Sequence, residues 1–213
     1  VCRPVAPLQA EGHWPAFRGA GDSQSASREL PVQWSVRGRT PGNWERRLPG
    51  YGQSSPVVWG HLIFVTAVSG EEKEHLHLLA VSLADGQILW QQDFAASQRI
   101  PDRDSVSRAA PTPVATADRV YVVFESGDVA ALTHAGEVLW QRSFVKDYGE
   151  LQGPHGYSSS PVLVDDLLVL QVAHAGPSYI LALDAGTGEN RWKAEHPSQT
   201  GWSSPVAYES GSQ

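Results

Sequence analysis

The chain has 213 residues, 41% hydrophobic and 18% charged, which is enough for one domain with a real core and too apolar for a disordered chain. Its formal net charge of −7 argues against a nucleic-acid binder, which would show a basic face. One cysteine, Cys2, excludes an intrachain disulfide and a zinc site built from several thiolates, and no stretch approaches the roughly 18 apolar residues of a spanning helix.

In chain order, residues 1–12 read as a leader or the remnant of a signal peptide, although VCRPVAPLQA lacks a positive start and an apolar run. HWPAFRGAG follows at 13–21, and GNWERRLPG brings Trp44. Short Val/Leu/Ile runs then alternate with turn residues, which predicts strands throughout. In the first unit they fall near 55–59, 61–67, 76–82 and 87–94. In the second they fall near 112–116, 119–124, 128–132 and 137–143. In the third they fall near 160–164, 167–173, 178–183 and 189–194.

These units are copies of one another. SSPVVWGHLIFVTA, PTPVATADRVYVVF and SSPVLVDDLLVLQVA open them, and SSPVAYESGSQ opens a fourth at Ser203. The landmark prolines Pro56, Pro113, Pro161 and Pro205 are 57, 48 and 44 residues apart. Trp90, Trp140 and Trp192 are 50 and 52 apart, and Trp44 stands 46 before Trp90. A period of roughly 40–50 residues with four strands per unit predicts an all-β propeller of four-stranded antiparallel blades. The expected blades lie near 54–94, 111–144 and 159–196, with the start of the next at 203, in an incomplete propeller of about four blades over 13–213.

The best-preserved hairpin is ALDAGTGENRW, 182–192. Asp184 is expected to accept hydrogen bonds from turn amides, as Asx turns do, and Thr187 to add a hydroxyl bond. Gly188 suits positive φ, and Trp192 is expected to wedge between sheets. A phosphate loop would need a helix after the glycines, and ENRWKAEHP supplies none.

On these residues the chain resembles the quinoprotein-type (PQQ-like) β-propeller repeat, whose motif is A-x-D-x-x-T-G-x-x-x-W. Ala182, Asp184, Thr187, Gly188 and Trp192 match all five positions. The first copy keeps Ala80, Gly86 and Trp90, with Ser82 and Asp85 at the Asp and Thr positions. The second keeps Ala130, Gly136 and Trp140, with Leu132 at the Asp position. HWPAFRGAG, with Trp14, Pro15, Phe17, Arg18 and Gly19, resembles the W-P-x-F-R-G start of secreted bacterial members. The resemblance therefore implies a secreted or periplasmic protein. The family includes quinone-dependent alcohol and sugar dehydrogenases and non-enzymatic members such as an outer-membrane barrel-assembly lipoprotein. Its enzymes hold the quinone on the axis with calcium, use Asp, Glu and Asn side chains, and often carry a vicinal Cys–Cys disulfide. With Cys2 alone that disulfide cannot form, and no residue here is matched to the Asp, Glu or Asn roles. No catalytic, cofactor or metal residue is carried over.

Three full copies cannot close the seven- or eight-bladed ring usual in the family. A piece of a longer protein is expected, with open blade edges that offer a route to self-association.

Among other groups, His75 and His77 share a strand face at a spacing that can bind metal, without a third ligand nearby in sequence. His134, His155 and His174 read as loop residues. No G-x-S-x-G elbow is present, and the recurring Ser54-Ser55, Ser158-Ser159-Ser160 and Ser203-Ser204 read as residues that satisfy backbone groups near the axis.

The long loops between units form the expected binding face. Residues 95–110 carry Arg99, Asp102, Arg103, Asp104 and Arg108, and residues 145–158 carry Lys146, Asp147, Tyr148, Glu150 and His155. The expected role is a non-catalytic scaffold that binds a protein, peptide or glycan, with no cofactor. The alternative is part of a dehydrogenase using PQQ and calcium.

Overall fold

The computed structural model describes residues 3–4, 12–21, 23–25, 44–104, 106–153 and 155–209. Cys2 and nearly all of the expected leader lie outside them.

Alternating apolar strands and glycine turns fold into three antiparallel four-stranded sheets among the described residues. After β1 (Arg3–Pro4), the first sheet comprises β2 (Val57–Trp59), β3 (Leu62–Ser69), β4 (His75–Ser82) and β5 (Ile88–Ala95). The second comprises β6 (Val114–Ala115), β7 (Arg119–Val123), β8 (Asp128–Thr133) and β9 (Val138–Ser143). A five-residue helix, α1 (Phe144–Tyr148), follows. The third comprises β10 (Val162–Val164), β11 (Leu167–Val172), β12 (Ser178–Asp184) and β13 (Asn190–His196). Last comes β14 (Tyr208–Glu209), which pairs with β1. In each sheet the strands pair in sequence order, as the meander of a propeller blade requires. The helix corrects the expectation that 145–158 is loop alone. Ser143 caps it, its hydroxyl accepting from the Lys146 amide, and buried Phe144 and Val145 tether it to the core.

The second sheet is buried on both faces, so its middle strands read as almost unbroken apolar runs, RVYVV and DVAALT. On one side Val120, Val122 and Phe124 meet Phe64, Leu76, Leu78 and Phe94 of the first sheet. On the other Tyr121, Val123 and Ala131 meet Leu168, Leu170, Leu181 and Leu183 of the third. Each buried Val, Leu or Phe side chain among them stabilises the stack by about 1.5–3 kcal/mol.

Two further devices join the sheets. The first is a ladder of hydroxyls before the landmark prolines. Ser55 donates its amide to Thr112 Oγ1 (3.1 Å), Thr112 to Ser160 Oγ (3.0 Å) and Ser160 to Ser204 Oγ (2.9 Å). The second is a tryptophan seated on the next sheet's glycine turn. Trp44 Nε1 donates to Leu83 O, Trp90 Nε1 to His134 O and Trp140 Nε1 to Ala185 O, at 3.0, 2.8 and 3.0 Å. Their ring faces lie on Gly86, Gly136 and Gly188, where an added Cβ would stand 2.3, 3.0 and 2.7 Å from indole carbons. The three glycines have φ of 71°, 90° and 75°, so they are glycine for two reasons. Arg46 Nε and Arg142 Nη1 add a bond to the carbonyls of Gly86 and Gly188, both 2.6 Å.

Trp192, expected as a wedge, meets no further four-stranded sheet among the described residues. It is 44% exposed, and among the described residues no glycine turn lies against it. The second copy of the motif also needs correction. Ala131, not Ala130, pairs with Trp140, as Ala80 pairs with Trp90 and Ala182 with Trp192. The turn after β8 is one residue shorter than its counterparts, so counting back from Gly136 slips the register. Thr133, not Leu132, stands at the Asp184 position: its amide donates to Glu137 O as Asp184's donates to Glu189 O.

The N-terminal segment lies along the inner strands. Trp14 pairs with Val58 in β2, Pro15 O accepts from Ala115 in β6, and His13 stacks on Trp59 with ring centroids 4.2 Å apart.

Candidate functional site

The strand order places two sets of loops on one face of the stack: the connections between sheets, and the connections between each sheet's second and third strands. The hairpin turns occupy the opposite face. Asp184 and Thr187 belong there and act locally. Asp184 Oδ1 accepts from the Gly186 and Thr187 amides at 2.8 and 2.9 Å, and Thr187 Oγ1 accepts from the Glu189 amide at 3.3 Å. The Thr187 amide, then the other turn bonds, hold the Asp184 carboxyl below its ordinary range. In the first sheet Asp85 Oδ1 accepts from the Gln87 amide at 3.0 Å, doing the work of Thr187.

On the loop face, the connections after β5 and after α1 meet around a cavity of about 220 Å³. Gln98 latches them together: its Nε2 donates to Leu151 O and its Oε1 accepts from the Leu151 amide, both 2.9 Å. Ser107 adds a second latch, its amide donating to His155 O (3.1 Å) and its hydroxyl to Tyr157 O (3.0 Å). The third wall is the β11–β12 loop, where His174 Nδ1 accepts from the Gln152 and Gly176 amides at 2.9 and 3.2 Å. That bonding leaves Nδ1 without a proton, and burial lowers the His174 pKa. Tyr157 borders the cavity with its ring in the core. Burial pushes its phenol up, and neither its hydroxyl nor Ser159 Oγ forms a hydrogen bond of ordinary geometry. The cavity is thus framed by hydrogen bonds that run between three loops, chiefly from the Gln98, Ser107 and His174 side chains to backbone groups.

Of the residues expected to form a binding face, Arg99 and His155 line this cavity. Arg99 Nη1 donates to Glu72 Oε2 at 3.1 Å, and the His155 ring meets Trp202 edge-on at 5.7 Å. Arg108 is held by Asp102 (2.6 Å) and Asp104 (3.4 Å) and lies over the Tyr51 ring. Arg103 lies on the same loop, its carbonyl accepting from the Val106 amide. Lys146 and Tyr148 sit on α1 and do not line the cavity, and Tyr148 packs against Tyr179 with Lys193 Nζ over both rings.

Sequence reasoning missed a buried ion pair beneath this face. Lys73 and Glu125 are 3% and 1% exposed with Nζ and Oε1 3.5 Å apart. Glu125 accepts from the Ala109 amide through both oxygens, and Lys73 donates to Ser107 O at 2.6 Å. Burial raises the Glu125 pKa and lowers that of Lys73, and each partner counters part of the other's shift. Lys73 sits within EEKEH, which reads as a solvated charged loop.

Residues 42–208 match the family described as "Outer membrane protein assembly factor BamB". The chain belongs to that family. A curated member, the outer membrane protein assembly factor BamB of Yersinia pestis, is 27% identical over 127 residues, 56% of this chain. The chain spans 30% of that relative's length. Among solved structures, a europium-containing methanol dehydrogenase matches with TM-score 0.62 at 16% identity, over 88% of this chain and 32% of the other. The quinohemoprotein alcohol dehydrogenase of Comamonas testosteroni matches with TM-score 0.52 at 20% identity, over 68% of this chain and 21% of the other. These likenesses establish the propeller fold shared by BamB-type and quinone-dependent proteins.

A quinone held with calcium is the group the dehydrogenases of this fold imply. Calcium takes six to eight oxygen ligands. Among the described residues no three His, Cys, Asp or Glu side chains converge. The buried carboxylates are engaged elsewhere, Glu125 as above and Asp128 with the Ser97 amide and the hydroxyls of Ser97 and Ser126. His77, whose spacing from His75 could bind metal, bonds to Ser69 and Asp93.

Proposed function

We propose that the chain is part of a propeller scaffold of the bacterial cell envelope that docks a protein partner on its loop face. The observation that carries this reading is the cavity between the latched loops. A site held by hydrogen bonds between its loops before a partner arrives loses little freedom on binding, which favours recognition. The family match supports a protein partner, and the name of the Yersinia relative supports a place in outer-membrane assembly. No helix among the described residues is long and apolar enough to cross a membrane. The dehydrogenase reading rests on fold likeness at 16% and 20% identity, which carries no activity.

The test is site-specific photo-crosslinking within the full-length protein in bacterial envelopes. Crosslinkers at positions 99 and 155 are expected to capture a component of the outer-membrane assembly machinery. A control at position 166, on the turn face, is expected to capture none of it. Equal capture from position 166, or none from positions 99 and 155, would overturn the assignment.

A further inference from the structure

The first sheet carries a chain of hydrogen bonds that nothing in the scaffold reading uses. His77 Nδ1 lies 2.7 Å from Asp93 Oδ1, and His77 Nε2 lies 2.8 Å from Ser69 Oγ. Gln91 Nε2 also donates to Asp93 Oδ1, at 2.7 Å, fixing the carboxylate against the ring. A carboxylate accepts only, so the Nδ1 atom carries the imidazole proton and Nε2 is left as an acceptor. The Ser69 hydroxyl then donates to Nε2, the arrangement in which an imidazole can take a serine's proton.

The three residues stand on adjacent strands, where Ala67, His77 and Asp93 are cross-strand partners and Ser69 lies two residues beyond Ala67. They share the face turned away from the second sheet, alternating with Val68, Leu76, Leu78 and Phe94 of the inter-sheet core. The fold does not require them. At the places of His77 and Asp93 the second sheet has the pair Asp128 and Ser143, and the third has Tyr179 and Glu195. His77 is 7% exposed, whereas the Asp93 side chain is 61% exposed and Ser69 is partly open. Gly50 packs against β3, where a Cβ would fall 2.1 Å from the Val68 carbonyl oxygen and 3.2 Å from Ser69 Cβ.

We propose that Ser69, His77 and Asp93 form a nucleophilic site that accepts an acyl group from a neutral or cationic ester. Ser69 Oγ attacks the acyl carbon while its proton passes to His77 Nε2, and Asp93 stabilises the imidazolium. The ester C–O bond breaks, and the departing alkoxide takes the proton from Nε2. Water then attacks the acyl-serine, His77 takes the water's proton and returns it to Ser69 Oγ, and the carboxylic acid leaves. Ser69 and His77 are the catalytic residues, and Asp93 is a positioning residue. The loop after Ser69 supplies the selectivity. It carries Glu71, Glu72 and Glu74; Glu72 is paired with Arg99, and the Glu74 carboxylate lies over Gly70, so the charge left beside Ser69 disfavours an anionic ester.

The test uses the unmodified chain and a neutral biotinylated alkyl fluorophosphonate, with the label mapped by mass spectrometry. Bond formation between Ser69 Oγ and phosphorus expels fluoride, and the serine proton leaves through His77. A single label on Ser69 is expected, none on Ser69→Ala, and labelling about 100-fold slower on His77→Gln. Asp93→Asn is expected to slow labelling while the melting midpoint stays within a few degrees, which a purely structural role would not produce. A dicarboxylate half-ester is expected to react more slowly than the matching neutral ester. Absence of label on Ser69 of the unmodified chain, or an equal rate on His77→Gln, would overturn the proposal.

Discussion

Single residues of this protein do two jobs at the glycine turns. Gly188 holds a φ of 75° and offers a flat seat to Trp140. Gly188→Ala adds backbone strain and pushes the indole away, so a loss of about 1–3 kcal/mol is expected in urea denaturation. Asp184 shows the electrostatic side of the same turn. Its carboxyl is held below the usual value by the Thr187 amide and by its other turn bonds. A carboxyl depressed in the folded state contributes stability above its unfolded pKa, and that contribution is lost as pH falls through the folded value. Asp184→Asn is therefore expected to destabilise at neutral pH and to approach the parent at low pH. Paired thermal melts across the acid range check it.

Elements reveal how much the sequence makes legible and where it stops. Turn glycines, period-two apolar runs and the recurring Ser/Thr-Pro landmarks place all twelve strands of the three sheets among the described residues. The hydroxyl ladder is legible too, because Ser55, Thr112, Ser160 and Ser204 occupy one position of the repeat. Ser160→Ala leaves the Thr112 amide without its acceptor, and a cost of about 1–3 kcal/mol is expected from chemical denaturation. The short turn after β8 misled the count by one residue, because motif matching fixes Gly and Trp but not the length of the turn, whereas the β-bulge after Ala131 recurs after Ala80 and Ala182. The cavity, the Lys73–Glu125 pair and the Ser69–His77–Asp93 chain were not legible. Each joins strands or loops whose residues lack a shared motif, and only sheet stacking or cross-strand register brings them together.

At the scale of the whole molecule, the loop face rests on one buried charge pair. Lys73 comes from the β3–β4 loop, Glu125 from the β7–β8 loop, and Ala109 and Ser107 from the connection between those sheets. Removing one partner leaves the other charge buried and alone, so Lys73→Met is expected to cost about 3–5 kcal/mol. Adding Glu125→Gln to Lys73→Met is expected to restore part of that loss, because no lone charge remains. Calorimetry of both variants checks the difference. The same variant is expected to loosen the cavity, since Ser107 anchors Lys73 and also latches the His155–Tyr157 segment.

The hydroxyl ladder also makes each sheet a reporter on its neighbour. The amide of Ser55 is protected by a side chain of the second sheet, and that of Thr112 by a side chain of the third. Hydrogen exchange at Ser55 therefore measures the opening of the second sheet, and exchange at Thr112 that of the third. A variant that destabilises only the third sheet is expected to raise exchange at Thr112 before it does so at Ser55. Loosening would then travel from sheet to sheet around the axis as a sequence of amide signals, one sheet out of step with its cause.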